Sequence, residues 1–215
     1  RSHRNPSWQE LYTLNNTARV GNPDLKPETV DAFELAFIQK FSGNDYLQAD
    51  IFYLINKDQI DKNNAQHLYL NNHNTDIYGF ELEASTKLLP HDRLYASYSY
   101  VDGSDDKGNP LANVAKHLAK VSYLYNFSQK FSAGTVLKYV GSKSRVTGDQ
   151  RDDTPSYFTA DLSARYQNLA NQFSVTGSVK NLADADVVYP SEPYTYINDY
   201  PQDGRTFLLT LSKEF

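Results

Sequence analysis

From Gly204 to Phe215 the chain alternates. Phe207, Leu209, Leu211, Lys213 and Phe215 fall on one parity, and Leu208, Thr210, Ser212 and Glu214 on the other. A period of two belongs to a β-strand with one apolar and one polar face. The same period returns on eight earlier segments: 28–41, 46–57, 76–89, 94–102, 117–127, 131–141, 156–167 and 172–182. In 76–89, Tyr78, Phe80, Leu82, Ala84 and Leu88 alternate with Gly79, Glu81, Glu83, Ser85 and Lys87. In 156–167, Phe158, Ala160, Leu162, Ala164 and Tyr166 alternate with Thr159, Asp161, Ser163 and Arg165. Tyrosine and phenylalanine crowd the segment ends. No helical stretch is available to cover nine apolar faces. Lipid can cover them, and the pattern then predicts an all-β, antiparallel transmembrane β-barrel segment with a polar interior. A soluble β-sandwich or up-and-down barrel uses the same hairpins and is the competing reading.

The connections carry a second signal. Those near 42–45, 90–93, 128–130 and 168–171 are short, and those near 58–75, 103–116, 142–155 and 183–203 are long. Membrane barrels alternate short periplasmic turns with long extracellular loops. A mean hydropathy of -0.63 is no objection, because only alternate residues face lipid. No run approaches the ~18 apolar residues of a membrane helix. A net charge of -5 gives no reason to expect nucleic acid. The chain has no Cys, which suits an oxidising compartment without disulfides. It also has no Met and no signal-peptide pattern, so a processed chain or a fragment is expected.

Four short runs narrow the reading. They are Arg4-Asn5-Pro6 through Glu10-Leu11-Tyr12; Gly21-Asn22-Pro23-Asp24-Leu25-Lys26-Pro27-Glu28; Val179-Lys180-Asn181-Leu182-Ala183-Asp184 with Tyr189 after it; and Pro201-Gln202-Asp203-Gly204-Arg205-Thr206-Phe207. In this order, ending on Phe215, they resemble the C-terminal part of TonB-dependent outer-membrane receptors. The resemblance implies a larger barrel of 22 strands filled by an N-terminal plug, of which the nine segments here are the last part. Residues 1–27 would be an extracellular loop and lead-in segment, and 28–215 the C-terminal strands of the barrel. The segment from Trp8 to Leu14, a short strand or a helical turn, could supply a tenth strand. The resemblance further implies the Gram-negative outer membrane, lipid contact, and an energy-coupling TonB complex acting through the plug. Its function would be active uptake of a scarce ligand, most often a ferric siderophore or other metal chelate. A passive porin-like channel is the alternative. No resident cofactor and no enzymatic activity are expected, since no Ser or Asp pairs with a His by motif.

Candidate binding residues lie in the long loops. Lys143, Arg145 and Arg151 would attract an anionic chelate, although Asp149, Asp152 and Asp153 offset them. Tyr194, Tyr196 and Tyr200 offer rings for stacking on a ligand, or an interfacial girdle. His67 and His73 flank an Asn pair and could contact a metal, but spacing offers no third ligand and a solvated loop is the plainer reading. Asp102, Asp105 and Asp106 suit a hard cation or simply a turn. No His lies within 7–20, where the family's haem receptors place one, so haem is disfavoured. Phe215, as a terminal aromatic, is expected to serve barrel assembly.

Overall fold

In a computed structural model the described residues are 1–14, 16–63, 67–169, 172–192 and 196–213. The strands are β1 (Ser2–Arg4), β2 (Glu28–Lys40), β3 (Tyr46–Lys62), β4 (Tyr69–Thr86), β5 (Asp92–Asp105), β6 (His117–Asn126), β7 (Phe131–Val140), β8 (Tyr157–Leu169), β9 (Phe173–Lys180), β10 (Val188–Tyr189), β11 (Tyr200–Pro201) and β12 (Thr206–Lys213). Among the described residues one helix, α1 (Trp8–Tyr12), accompanies them. Ten strands form one sheet in the order β1-β2-β3-β4-β5-β6-β7-β8-β9-β12, and β10 pairs with β11 separately. This is an all-β antiparallel meander, as the alternation requires. The chain forms two compact units. The first comprises Arg1–Leu35, Ile51–Gly79 and Asp102–Leu111; the second comprises Ala36–Asp50, Phe80–Val101 and the chain from Ala112 onward.

In the second unit the register joins the apolar parities into one face. Leu94, Ala96 and Tyr98 oppose Tyr123, Val121 and Ala119. Val121 and Ala119 oppose Leu137 and Tyr139, which oppose Ala160 and Phe158. Leu162 opposes Val179, which opposes Phe207, and Leu209 opposes Gly177. Cross-strand partners share a face, so the apolar residues form a continuous sheet surface. The other parity places Glu83, Tyr46 and Tyr95 together: Tyr46 and Tyr95 donate hydroxyl protons to the two Glu83 carboxylate oxygens, the second at 2.7 Å. Asp161 joins this polar face, accepting from the Asn181 amide at 2.9 Å with Lys138 Nζ 3.5 Å away.

Burial is inverted relative to a water-soluble fold. Among the described residues only Leu25 and Ala115 are buried apolar side chains, against six buried polar ones: Asp50, Ser85, Asp92, Thr154, Asn181 and Ser191. Leu209 is 80% exposed and Leu82 43%. In the first unit Phe33, Leu35, Ile51 and Tyr53 are likewise exposed. Among the described residues no buried apolar core collects these groups. The buried carboxylate of Asp92 is satisfied by the Leu88 and Leu89 amides and the Tyr123 hydroxyl, which tightens the β4–β5 turn.

All nine expected strands are present, with two corrections. The expected long connection 58–75 is mostly strand, because β3 runs to Lys62 and β4 starts at Tyr69. Backbone pairing carries these ends; their only apolar or aromatic side chains are Ile60, Tyr69 and Leu70, the last two on opposite parities, so no alternation marks them. The tenth strand is Ser2–Arg4, paired with Glu28–Val30, and not the segment from Trp8 to Leu14. Trp8–Tyr12 is helical because Ser7 caps it and Glu10 closes a capping box, with Glu10 N to Ser7 Oγ at 3.3 Å and Ser7 N to Glu10 Oε2 at 2.6 Å.

Candidate functional site

The four sequence runs make two knots at the roots of the long loops. In the first unit the Arg4 guanidinium forks onto two carboxylates, Glu28 at 2.7 Å and Glu10 at 3.0 and 3.2 Å. Glu28 also accepts from the Ile60 amide at 2.7 Å. The Arg of the first run thus grips both the Glu of its own run and the Glu that ends the second. Gly21 lies against the end of α1, where an added Cβ would sit 2.5 Å from Thr13 N. Only glycine permits that approach.

The second unit holds the other two runs. Asn181 and Asp184 both take left-handed backbone conformations, with φ of 49° and 55°. The Asn181 side chain bonds both the N–H and the C=O of Ala185. The Asp184 carboxylate accepts from the Arg205 amide at 2.7 Å. A Cβ at Gly204 would lie 2.7 Å from that carboxylate oxygen. The Asn-Leu-x-Asp run and the Gly-Arg run therefore close one loop, 181–205, at its base.

That loop is clamped to the one connecting β7 and β8. Arg145 donates to both Asp199 carboxylate oxygens at 2.8 and 2.7 Å, and to the Asp152 carbonyl at 2.6 Å. Arg151 uses all five guanidinium N–H groups: Asp149 takes two in bidentate fashion, the Ser191 carbonyl and hydroxyl take one each, and the Ile197 carbonyl takes the fifth. The paired guanidinium holds the Asp149 carboxyl down to about 2, and Arg145 lowers Asp199 in the same way. Lys143 has a different environment. Its ammonium lies 4.4 Å from the centre of the Tyr189 ring, a cation–π contact, and burial pushes its pKa down. Tyr196 and Tyr200 stack on each other, with centroids 5.5 Å apart and planes 6° from parallel. Both rings stay exposed.

The structure therefore gathers Lys143, Arg145, Arg151, Tyr196 and Tyr200 into one loop region, but the charge of the two arginines is engaged by Asp199 and Asp149. Of those aspartates, Asp149 stands beside the basic cluster in the sequence, whereas Asp199 lies 54 residues from Arg145 and reaches it only through the fold. Tyr194 and Phe215 lie outside the described residues. His67 sits in the β3–β4 connection with φ of 55°, its carbonyl accepting from the Val20 amide. His73 has company that spacing did not reveal: its ring, Asp105 and Asp106 place donor atoms within 4.8 Å of one another. Asp61 lies 3.3 Å from His73 Nε2.

Comparison with known proteins defines the class. The family model described as "TonB dependent receptor-like, beta-barrel" matches residues 1–182, so the chain belongs to that family of outer-membrane β-barrel proteins. Among characterised relatives, the metal-pseudopaline receptor CntO of Pseudomonas aeruginosa is 30% identical over 147 residues, which is 64% of this chain and 20% of the relative. The vitamin B12 transporter BtuB of Vibrio cholerae is 28% identical over 91% of this chain and 31% of its own length. The solved structure of the copper transporter OprC superposes with a TM-score of 0.79 at 20% identity, over 98% of this chain and 35% of that one. The chain thus spans between a fifth and about a third of the length of these proteins.

Proposed function

We propose that this chain is the C-terminal barrel part of an outer-membrane receptor that takes up a metal chelate. The long connections lie on the cell exterior, the first 27 residues among them, and the short turns lie in the periplasm. The observation that carries the reading is the family match across 1–182 on a sheet with one apolar and one polar face. The metal-pseudopaline relative supports a chelated metal as cargo. The BtuB relative favours vitamin B12 as the second reading. One relative is named a receptor and the other a transporter, and no catalysis is assigned to this chain. Energy would come from the TonB complex acting on a plug supplied by the rest of the receptor, as in the family. Phe215 would serve assembly of the barrel.

The loop chemistry refines the cargo. Arg145 and Arg151 organise the binding loops, because their charge is neutralised in place. Lys143 and the stacked pair Tyr196–Tyr200 are left to meet the ligand. A planar or aromatic chelate suits stacked rings and one cation better than a highly charged anion does.

The test is uptake by cells whose only such receptor contains this chain. Radiolabelled ferric chelates should accumulate, and accumulation should stop when the proton-motive force is collapsed. Lys143→Ala should weaken uptake at low chelate concentration only. Entry that persists after collapse indicates a passive channel. Entry of vitamin B12 without any metal chelate overturns the cargo.

A further inference from the structure

We propose that His73, Asp105 and Asp106 bind a divalent transition-metal ion directly, with Asp61 as the carboxylate that orients the imidazole. All four residues belong to the first unit. They come from three strands: Asp61 near the end of β3, His73 on β4, Asp105 at the end of β5 with Asp106 immediately after it. The three donor atoms of the proposed site lie within 4.8 Å of one another, the span a single small ion can bridge.

The composition selects the ion. One imidazole with carboxylates suits zinc, manganese, iron or copper, since imidazole is a ligand for borderline metals. Calcium needs six to eight oxygens, and an imidazole in the set works against it. The supporting contacts resemble those behind metal ligands elsewhere. Asp105 is held by the Lys107 and Asn109 amides at 2.9 and 2.8 Å and by the Asn109 side chain at 2.7 Å. A carboxylate offers about four acceptor sites, so one remains for a metal. Asp106 is fixed through its backbone, its amide donating to the Asn74 carbonyl at 3.1 Å beside His73. Asp61 beside His73 Nε2 fixes the ring, as carboxylates do behind metal-bound histidines. Three carboxylates around one imidazole otherwise concentrate negative charge that a dication would neutralise.

This site is separate from chelate uptake. It takes the bare ion, and it lies in the first unit, whereas Lys143, Tyr196 and Tyr200 lie in the second. The test uses the whole receptor containing this chain, purified in detergent and stripped with a chelator. Zn²⁺, Mn²⁺ and Ca²⁺ are each titrated alone by calorimetry, and Mn²⁺ also by electron paramagnetic resonance. One Zn²⁺ or Mn²⁺ should bind per chain. His73→Gln and Asp106→Asn should each weaken binding by about tenfold or more. Asp24→Asn should bind like wild type, and strand content by circular dichroism should be the same in all variants. Absence of stoichiometric binding in the wild type overturns the proposal. So does wild-type affinity in both His73→Gln and Asp106→Asn, or a site that prefers Ca²⁺ and ignores His73→Gln. Radiolabelled chelate uptake, measured in parallel, reports on the transport reading independently.

Discussion

At the scale of single residues, Arg151 is the most committed side chain in the loops. Its five N–H groups have five acceptors in a fixed fork, and lysine cannot reproduce that geometry. Arg151→Lys should therefore free the 183–203 loop while leaving the strands intact. A spin label on a cysteine introduced at Ile197, which is 84% exposed in a chain without other cysteines, would read this as increased mobility at neutral pH. The wild-type clamp should respond to acid. Asp149 titrates at about 2 when folded against an ordinary value of 3.8. A depressed folded value means the ion pair stabilises above the ordinary value and is lost as pH falls through the folded one. Label mobility in the wild type should rise between pH 4 and 2 and stay flat from pH 5 to 8. Mobility that rises near pH 6 would point to a histidine and away from Asp149. Of this pairing only the offset of Arg151 by nearby Asp149 is legible in the sequence. Arg145 and Asp199 are 54 residues apart, and nothing local marks them as partners. The same holds for His73 and Asp105, which stood out separately and were joined only by folding.

At the scale of elements, the strands were legible wherever two different solvents enforce alternation. β12 shows Leu209 to one side and Thr210 to the other. Leu209→Arg should cost about 2–4 kcal/mol at the bilayer midplane, and Thr210→Arg much less. Unfolding titrations of the receptor in lipid vesicles would measure both, and equal costs would refute the assignment of faces. Where apolar side chains are too few to alternate, as in 58–62 with Ile60 alone and 69–75 with adjacent Tyr69 and Leu70, the period vanishes although the pairing continues. β1 was illegible for a related reason. Ser2, His3 and Arg4 have no apolar member, and only their register against Val30, Thr29 and Glu28 makes them a strand. The helix α1 was half legible. Ser7 and Glu10 form the start signal, but five residues are too few for a helical period to show. The four sequence runs were recognised as a family pattern, and the structure adds what they do: each pair folds onto itself by charge and by a glycine that lets backbone or carboxylate approach.

At the scale of the whole chain, the inverted burial decides what kind of medium this protein can occupy. A dry apolar interior is replaced by a hydrogen-bonded polar face, and stability must come from ladders of backbone bonds and from the environment on the other side. One consequence concerns the chain taken out of that environment. β12 ends the sheet order, with Phe207, Leu209 and Leu211 exposed beside its outer edge. A long exposed edge carrying apolar side chains recruits further strands. In plain buffer the chain by itself should therefore assemble into sheet-rich aggregates, sedimenting within a light-scattering run, while detergent micelles keep it dispersed. A monodisperse monomer in buffer would contradict the two-faced sheet. The cell faces the same hazard each time such a polypeptide crosses an aqueous compartment, so the feature that suits β12 to lipid also sets how briefly it can be left in water.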